Sequence, residues 1–592
     1  MRVPVSILLF LMTIVPGWNP TLSIPKSNPG GSQYVPNELL VCFRESVPIP
    51  ETNVYDAKIL AAKNPALTQL SAERGLIAVE GLLPGDLPRV KGAVSAKRPP
   101  HSTAWPPAPE EVARIFHYYG LDRTFVLRFS QPIDPVQRAD QLMRDHSNVI
   151  EYAEPNTIRH FSREPNDPRY RSQWHLSHKP SNPSFRADVR AREAWDITTG
   201  SSDVVIAVLD TGATPTHEDL TNKFLTGRSF VSGVRSATDD HGHGTAVSGA
   251  AAANTDNGLD VAGVCWNCRI LPLKILDRRG NGTLSAEVQA INYAVTEVSG
   301  GVRIINLSLG SCGGSPSSSE RNALQAAGAA GILVVAAAGN GCEEEGVGSN
   351  NDETREYPGN FSAELENVVS VASSGRTNRL SYFSNFGRMS VMLAAPGEAI
   401  YTTVPTDTSL EISNAGGVLP IAGTSFAAPI VAGVAGLIYS QFPGITPAQV
   451  RARLVGSVDR YGDFLTTTSS GGRVNAFRAL EQDGVAPGPI TDLQAQAGSS
   501  PTTLTWTAPG DDDQQGQAMF YEVRYSRNEI TADNFDRATK VDIAPFPQAA
   551  GAAESLPLVN LPRGTYVFAI RAIDNVGNKG PISSAVMAHV NE

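Results

Sequence analysis

From residue 200 onward, short apolar runs alternate with segments of helical spacing, and this alternation constrains the fold more than any other feature. The apolar runs are 204–209, 270–276, 302–309, 332–338 and 368–372. The helical segments are 244–253, 285–298 and 320–329. Continuous apolar runs are typical of strands buried on both faces, and their alternation with helices is typical of parallel sheets. The pattern predicts an α/β fold with a doubly wound parallel sheet, which places functional residues at the carboxyl ends of strands.

The regions on either side of this alternation have different patterns. Upstream, the segments 37–43, 124–129 and 149–156 read as strands and 134–146 as a helix, with a Pro/Ala-rich insert near 95–110. Downstream, the short alternating segments 502–506, 520–525 and 566–572 predict a β-sandwich of about seven strands. We therefore expect an α+β unit at 24–165, the α/β domain at 166–482, a linker at 483–489 and the sandwich at 490–592.

The first residues are typical of a secretory signal. Arg2 precedes an apolar stretch from Ile7 to Val15, which ends at Pro16. This stretch is too short to cross a bilayer of about 30 Å as a helix. We expect a signal peptide at 1–23 and a secreted, extracellular protein, with no membrane span after the signal is removed. A buried N-terminal helix is the alternative, and it suits these flanking residues less well.

Charge and cysteine content narrow the classes of partner and site. The net charge is −11, and no Lys/Arg-rich block is present, so a nucleic-acid partner is not expected. Four cysteines lie in the α/β region and allow three pairings: Cys265, Cys268, Cys312 and Cys342. A zinc or redox site at Cys265 and Cys268 is one reading, but zinc would need two further ligands. We favour structural disulfides Cys265–Cys268 and Cys312–Cys342.

Three segments place a reactive side chain beside small residues at the end of a strand or the start of a helix. Asp210 ends a buried strand, His243 precedes a helix rich in small residues, and Ser425 enters an apolar helix. A serine hydroxyl needs a base to become a nucleophile, and histidine has a pKa suited to that role. A buried aspartate orients the imidazole and stabilises its cation. Alone, the Asp210 segment could hold the active aspartate of a pepsin-like protease, although that fold needs two such motifs and one is found. The His243 segment alone could be a turn, and the Ser425 segment a helix N-cap.

In this order the motifs Asp210-Thr211-Gly212, His243-Gly244-Thr245 and Gly423-Thr424-Ser425 resemble those of the subtilase family of serine proteases. The resemblance covers about residues 166–480 and selects His243 over His241, because the family's histidine precedes Gly-Thr. It implies a serine endopeptidase that forms an acyl-enzyme. It also implies that Asn340, in a segment matching the family's Ala-Gly-Asn, stabilises the oxyanion, although Asn340 could be a turn residue.

The same resemblance suggests where protein or peptide substrates bind. Ser308, Leu309 and Gly310 resemble the family's edge segment, and Ala337, Ala338 and Gly339 are expected beside it. Glu356 stands at the base of the pocket for P1, the residue on the acyl side of the cleaved bond. A preference for Arg or Lys at P1 is one hypothesis. A solvated acidic loop or a calcium site is the other, because Glu343, Glu344, Glu345, Asp352 and Glu353 lie nearby in sequence.

The resemblance also implies Ca²⁺ and a self-processed precursor, with no organic cofactor. Gln173, Asp219 and Asp256 match places where subtilases often bind calcium, although Asp256 could simply stabilise a turn. The α+β unit resembles a propeptide that assists folding, inhibits the enzyme and is cut off between about 160 and 166; a permanent extra domain is the alternative. The last unit resembles a fibronectin type III module, with Trp506 in its core and a tyrosine corner at 561–566. We expect a monomer.

Overall fold

The computed structural model of the protein describes residues 34–47, 54–56, 70, 72–73, 75–82, 109–131, 133–157, 164–178, 186–342, 346–496, 502–559 and 561–590. The expected signal peptide at 1–23, most of the Pro/Ala-rich insert, and Glu343, Glu344 and Glu345 lie outside the described residues.

In its described residues, the N-terminal unit has a five-stranded antiparallel sheet and two helices. Its elements are β1 (Tyr34–Phe43), β2 (Val54–Asp56), β3 (Leu76–Gly81), α1 (Pro109–Tyr118), β4 (Thr124–Phe129), α2 (Pro135–Asp145) and β5 (Ile150–Thr157). The strand order is β2-β3-β4-β1-β5. Alternate residues of β1 and β4 point into one core with Leu142 of α2, as their apolar and polar alternation predicts. Cys42 is a buried free cysteine in this unit.

The central domain is built on a nine-stranded sheet in the order β17-β18-β14-β13-β11-β9-β6-β8-β7. Its strands are parallel except for the edge pair β17–β18. The strands of the domain, including two small antiparallel pairs (β10–β12 and β15–β16), are β6 (Val205–Asp210), β7 (Arg228–Ser229), β8 (Arg269–Lys274), β9 (Val302–Leu307), β10 (Ser311–Cys312), β11 (Leu333–Ala337), β12 (Glu356–Tyr357), β13 (Val368–Ser374), β14 (Leu393–Pro396), β15 (Ile400–Thr403), β16 (Val418–Ile421), β17 (Asp459–Arg460) and β18 (Gly472–Arg473).

Helices cover both faces of this sheet, which confirms the predicted doubly wound α/β fold. They are α3 (Ala191–Ile197), α4 (His243–Ala252), α5 (Leu284–Thr296), α6 (Ser318–Ala329), α7 (Thr424–Gln441), α8 (Pro447–Gly456), α9 (Phe464–Thr467) and α10 (Ala476–Ala479). Ile206 and Val208 of β6 pack in the core that holds α4 and α7. Val205, Ala207 and Leu209 pack on the other face, with α5 and α6. Burial on both faces explains the unbroken apolar runs in the sequence.

Helix α7 corrects one sequence expectation. The expectation that no segment after the signal is long and apolar enough to span a membrane was wrong for Thr424–Gln441, which passes by length and composition. However, 89% of its apolar window is buried inside the protein. A helix enclosed by a sheet and by other helices is apolar on every face for the same reason as a membrane helix.

The position of β6 in the sheet determines where a site can form. Its two neighbours are β8 on one side and β9 on the other, so the chain winds outward in both directions from β6. In open α/β sheets the crevice at such a switch point, beyond the carboxyl ends of the strands, is where ligands bind. Asp210 is the last residue of β6 and therefore lies at this crevice.

The C-terminal unit consists of two antiparallel sheets around a common core. One has the order β19-β20-β23 and the other β22-β21-β24-β25. The strands are β19 (Gln494–Gln496), β20 (Thr503–Thr507), β21 (Phe520–Ser526), β22 (Thr539–Lys540), β23 (Ala553–Pro557), β24 (Gly564–Ile573) and β25 (Val586–Val590). Trp506 packs edge-on against Tyr521 in the core, with ring centroids 5.0 Å apart. The Tyr566 hydroxyl donates to the carbonyl of Pro562 at 2.9 Å.

This unit packs directly on the central domain. The Ser457 hydroxyl, just after α8, donates to the Asn575 carbonyl at 3.1 Å. The Asn575 amide donates to Glu481 at 2.7 Å, and the Asn578 amide donates to the Asp483 carbonyl at 3.3 Å. These bonds fix the loop 574–578 against the end of the central domain.

Candidate active site

Asp210 and His243 form a hydrogen-bonded pair at the carboxyl edge of the sheet. Asp210 is fully buried, and its Oδ1 and Oδ2 lie 2.8 Å and 3.0 Å from Nδ1 of His243. Oδ1 also accepts the backbone N–H of Thr211 at 2.7 Å. Because Asp210 occupies one ring nitrogen of His243, the imidazole is held in one orientation, and its Nε2 remains available for another group.

Two glycines allow α4 to start this close to β6. A Cβ added to Gly244 would lie 2.2 Å from the Gly212 carbonyl oxygen. Gly242 has φ +105°, and a Cβ there would meet the Ile412 carbonyl at 1.8 Å. A side chain at either position would push His243 away from Asp210, so the residues flanking this histidine must be small.

Asp239 is a second buried carboxylate behind His243, and the sequence interpretation missed it. It accepts hydrogen bonds from Thr211 Oγ1 at 2.8 Å and from the backbone N–H groups of His241 and Gly242 at 3.1 and 2.8 Å. It also accepts from the backbone and hydroxyl of Thr245 at 2.9 and 2.6 Å. One side chain therefore ties the end of β6 to the first turn of α4. An acidic residue four positions before His243 in a Gly-rich turn was the available signal.

The surroundings of His243 act on its pKa in opposite directions. Burial favours the neutral ring and acts to lower the pKa, whereas the charge and hydrogen bond of Asp210 and the charge of Asp239 favour the cation. The negative groups prevail, so the pKa of His243 is raised above its ordinary value. This environment suits a base that must accept and hold a proton.

Ser425 is the second residue of α7 and is half-exposed between the buried Thr424 and Phe426. Its hydroxyl donates to the Ser308 carbonyl at 3.1 Å, and the Ser308 hydroxyl donates to the Ser425 carbonyl at 2.7 Å. The Phe426 ring lies beside the His243 ring, with centroids 5.4 Å apart. Ser425 therefore stands next to the histidine at a helix N-terminus, with its hydroxyl directed to the neighbouring strand end.

Asn340 follows β11 and is held by the same helix terminus. Its Oδ1 accepts the backbone N–H and the hydroxyl of Thr424, both at 2.9 Å. With Oδ1 engaged in this way, Nδ2 is the group left to face the crevice. It lies 3.8 Å from the point where a Cβ of Gly423 would be. A hydrogen-bond donor thus lies beside Ser425.

The predicted substrate residues lie on two segments next to Ser425 and Asn340. Ser308, Leu309 and Gly310 follow β9, whereas Ala337, Ala338 and Gly339 lead from β11 to Asn340. Glu356 in β12 reaches between the two segments. A Cβ on Gly310 would lie 2.3 Å from Glu356 Oε1, and a Cβ on Gly339 would lie 3.0 Å from Glu356 Cδ. The glycines therefore make room for this carboxylate.

Glu356 has an unusual set of contacts for a buried acid. It is 5% exposed, and its Oε2 contacts Sγ of Cys312 and lies 3.0 Å from Sγ of Cys342. These two cysteines form one disulfide, and Cys265–Cys268 forms the other. Among the described residues no cationic side chain forms an ion pair with Glu356. Burial alone raises its pKa, to about 7.

The proposed calcium residues lie near one another, on the far side of the α4 C-terminus. Asp219 is fully buried and accepts from Asn257 Nδ2 at 2.9 Å and Val261 N at 3.0 Å. Burial and the charges of Asp167 and Asp260 raise the pKa of Asp219 to about 7. Gln173 Oε1 accepts from Ala262 N at 2.8 Å, and Asp256 Oδ1 accepts from Asn166 N at 3.2 Å.

Two further oxygens at this place, Asp167 Oδ1 and Asp260 Oδ2, are buried without a hydrogen-bond partner in the part of the chain that the structure describes. Crowded carboxylates with free oxygens and an all-oxygen donor set suit a hard divalent cation. The residue types present therefore fit Ca²⁺, although in the described residues no three of these carboxylates bring their oxygens within 4.8 Å of one another.

Comparisons with known proteins agree with the fold of the central domain. The sequence model of the subtilase family (Peptidase_S8) matches residues 201–484. Thermitase of Thermoactinomyces vulgaris is 36% identical over 317 residues, which are 54% of this chain and 99% of that protein. Subtilisin DY of Bacillus licheniformis is 40% identical over 263 residues, 44% of this chain and 86% of that protein. An extracellular protease of Xanthomonas campestris pv. campestris is 31% identical over 393 residues, 60% of this chain and 63% of that protein.

The parallel sheet, with an Asp–His pair at its switch point and a serine at a facing helix terminus, defines the class of subtilisin-like serine proteases. The chain belongs to the subtilase family.

Proposed function

We propose that this protein is a secreted serine endopeptidase in which Ser425 attacks the peptide carbonyl, His243 takes its proton and Asp210 orients His243. The observation that carries the proposal is the doubly hydrogen-bonded Asp210–His243 pair, which stands at the switch point beside Ser425. Fold alone would not give this function. The argument rests on the three side chains and on the helix terminus that holds the serine.

The proposal requires the Ser425 hydroxyl to change its partner. It now donates to the Ser308 carbonyl, and in the substrate complex it would turn about its Cα–Cβ bond to donate to His243. Hydrogen bonds of catalytic groups are often looser without substrate than in the substrate complex. The Asn340 amide and the Ser425 N–H, at the positive end of α7, then supply donors to the developing oxyanion.

Covalent labelling tests the nucleophile directly. Phenylmethylsulfonyl fluoride should modify the mature wild-type protein at Ser425 and leave the Ser425→Ala variant unlabelled. Ser440→Ala is the matched control, since Ser440 lies in the same helix and, among the described residues, its hydroxyl bonds to the Gly436 carbonyl alone, at 2.7 Å. Labelling of Ser425→Ala, or none of the folded wild type, would contradict the proposal.

Substrate selection would follow from the segments beside Ser425 and Asn340. The 308–310 and 337–339 segments offer backbone groups to an extended peptide, which implies broad recognition of unfolded or looped protein. Glu356 adds one specific element, because a buried carboxylate without a cationic neighbour favours a substrate that brings the cation. We therefore assign a preference for Arg or Lys at P1.

The N-terminal unit is proposed to be the propeptide of a self-processed precursor. Its removal would take away the free Cys42 and leave the four disulfide cysteines. The Ser425→Ala variant should accumulate as the full precursor, whereas the wild type should yield a mature chain starting between about 160 and 166. Secretion is supported by the signal-like N-terminus and by a relative whose name describes it as extracellular.

Two further assignments complete the proposal. Asp219, Asp167 and Asp260 would hold a structural Ca²⁺, which neutralises their crowded charges and stabilises the loop 254–260. The C-terminal unit would be a fibronectin type III-like module, supported by Trp506 in its core and by the Tyr566 hydroxyl bonded to the Pro562 carbonyl. Its role would be to bind substrate or a surface.

A further inference from the structure

Pro429 lies inside α7, one turn after Ser425. In an α-helix each carbonyl accepts the backbone N–H of the residue four positions later. Proline has no backbone N–H, so Pro429 cannot donate to the Ser425 carbonyl, and a proline inside a helix is disfavoured partly for this reason. The helical bond that would fix the backbone of Ser425 from within α7 therefore does not form.

A side chain at the end of a neighbouring strand supplies the donor that Pro429 lacks. Ser308 follows β9 and is 3% exposed, and its hydroxyl donates to the Ser425 carbonyl at 2.7 Å. This is the usual distance of an O–H···O hydrogen bond. Ser308 thus takes the place of a helical donor at the residue that is proposed to be the nucleophile.

Asn306 determines the direction of this hydrogen bond. It is fully buried in β9, and its Nδ2 donates to Ser308 Oγ at 2.9 Å. Because an amide nitrogen only donates, the Ser308 hydroxyl is the acceptor in that contact and keeps its single hydrogen for the Ser425 carbonyl. The hydrogen bonds therefore run in one direction, from Asn306 through Ser308 to the backbone of Ser425.

Two hydrogen bonds join residues 308 and 425, and they would behave differently in the proposed reaction. The Ser425 hydroxyl donates to the Ser308 carbonyl at 3.1 Å, and this bond must break when the hydroxyl turns to His243. The bond from the Ser308 hydroxyl engages only the backbone of Ser425, so it can persist. Ser308 can therefore hold the backbone of the nucleophile while its side chain moves.

We propose that Ser308 is a positioning residue, whose hydroxyl replaces the donor missing at Pro429 and fixes the Ser425 backbone. This inference rests on the proposed function, because it concerns the same nucleophile. Ser308 also begins the segment expected to bind substrate, so the bond sets the distance between that segment and Ser425. A small misplacement of a reacting group lowers turnover strongly, and the loss of this bond should therefore affect kcat more than KM.

A double-mutant cycle tests this role, with the protein produced as the full chain and allowed to process itself. Ser308→Ala leaves the Ser425 carbonyl without its donor and should lower kcat about tenfold, with KM unchanged within about twofold. Pro429→Ala restores a backbone N–H that can donate to the same carbonyl. In the Pro429→Ala background, Ser308→Ala should therefore lower kcat by less than about threefold. A merely structural role of Ser308 would not depend on residue 429 in this way.

The control is another buried serine hydroxyl that donates to a carbonyl. Ser362 is fully buried, and its hydroxyl donates to the Ser390 carbonyl at 2.6 Å. Ser362→Ala loses a comparable hydrogen bond away from Ser425, so its kcat should stay within about twofold of the wild-type value. Phenylmethylsulfonyl labelling counts the active sites of each variant, and kcat is expressed per labelled site.

Unchanged kcat in Ser308→Ala would overturn the proposal, as would an equal loss with and without Pro429. If Pro429→Ala does not fold, Ser308→Thr takes its place, because it keeps the hydroxyl. It should then retain more activity than Ser308→Ala, and an equal loss in the two variants would contradict the role of the hydroxyl. Failure of the proposed function gives a different result, because the folded wild type would then be neither labelled nor active.

Discussion

Two acidic regions of the central domain lie on either side of Ser425 and differ in how their carboxylates are satisfied. Beside His243, Asp210 and Asp239 both accept several hydrogen bonds, and Asp239 alone accepts five. Beside the predicted substrate segments, Glu356 is equally buried. It contacts the Cys312–Cys342 disulfide, which has no hydrogen to donate. Burial without such donors raises the pKa of Glu356 to about 7, whereas the hydrogen bonds to Asp239 outweigh burial and lower its pKa.

The difference teaches how one domain uses buried acids for two purposes. A carboxylate surrounded by donors stays charged and fixed, so it can orient a histidine through every catalytic cycle. A carboxylate without donors carries an unmet cost, which a cationic ligand can relieve. By this argument Asp210 and Asp239 serve the proposed reaction, whereas Glu356 serves the choice of substrate.

Removal of the proposed base should have the largest effect on turnover. His243→Ala removes the base and should lower kcat by roughly 10⁴–10⁶-fold, the range found when a triad member is deleted. Peptide hydrolysis by the purified protein measures this, with the N-terminal unit supplied as a separate chain because the variant would not cut it off. His589→Ala, at an exposed histidine of the last strand, is the matched control. Activity within tenfold of the wild type in His243→Ala would refute the assignment of the base.

Removal of the Asn340 amide should lower turnover by a smaller factor. Asn340→Ala deletes one oxyanion donor and should lower kcat by about 10²–10³-fold with little change in KM, since the donor acts mainly in the transition state. Steady-state kinetics separate the two parameters. A rise in KM at constant kcat would mean that Asn340 only binds substrate.

Removal of the Glu356 charge should change the preference at P1 and leave the reaction itself intact. Glu356→Gln keeps the shape and removes the charge, so kcat/KM for Arg at P1 should fall by about 10–100-fold, from the loss of a charged hydrogen bond worth about 1.5–3 kcal/mol. Values for Phe at P1 should stay within a few-fold. Asp352→Asn, an acid nearby in sequence, is the control. A parallel loss for both peptides would show a structural role.

The smallest expected effect concerns Asp239. Asp239→Asn removes a charge that raises the pKa of His243, so the acidic limb of the pH–rate profile should move to lower pH. Loss of activity should be modest, and the melting temperature should fall because several donors lose their acceptor. A limb that stays in place while stability falls would restrict Asp239 to a purely structural role.

Residue chemistry explains which of these features the sequence predicted. Asp210, His243, Ser425 and Asn340 were predicted because few residue types can do the work proposed for them. The sheet was found because buried parallel strands leave unbroken apolar runs. The contacts of Asp239 depend on how the 237–242 loop folds back, which local spacing does not encode. Val136 lies at helical spacing from the buried Ala139 and Leu142 of α2 but is 48% exposed, since periodicity does not fix the width of the packed face.

Contacts between distant segments were also beyond the sequence. The Ser308–Ser425 bonds join residues 117 positions apart. The types of these two residues do not indicate the contact. Only the packing of α7 on the sheet brings them together.

The contrast between Glu356 and the aspartates beside His243 is tested most directly by the ratio of kcat/KM for Arg and Phe at P1. This ratio is measured from pH 5.5 to 8.5. Both substrates depend equally on His243, so its titration cancels in the ratio. Glu356, whose pKa is raised to about 7, is neutral below that pH and charged above it. The account predicts a ratio that rises through pH 7 in the wild type and is flat in Glu356→Gln. A flat ratio near one in the wild type would contradict it.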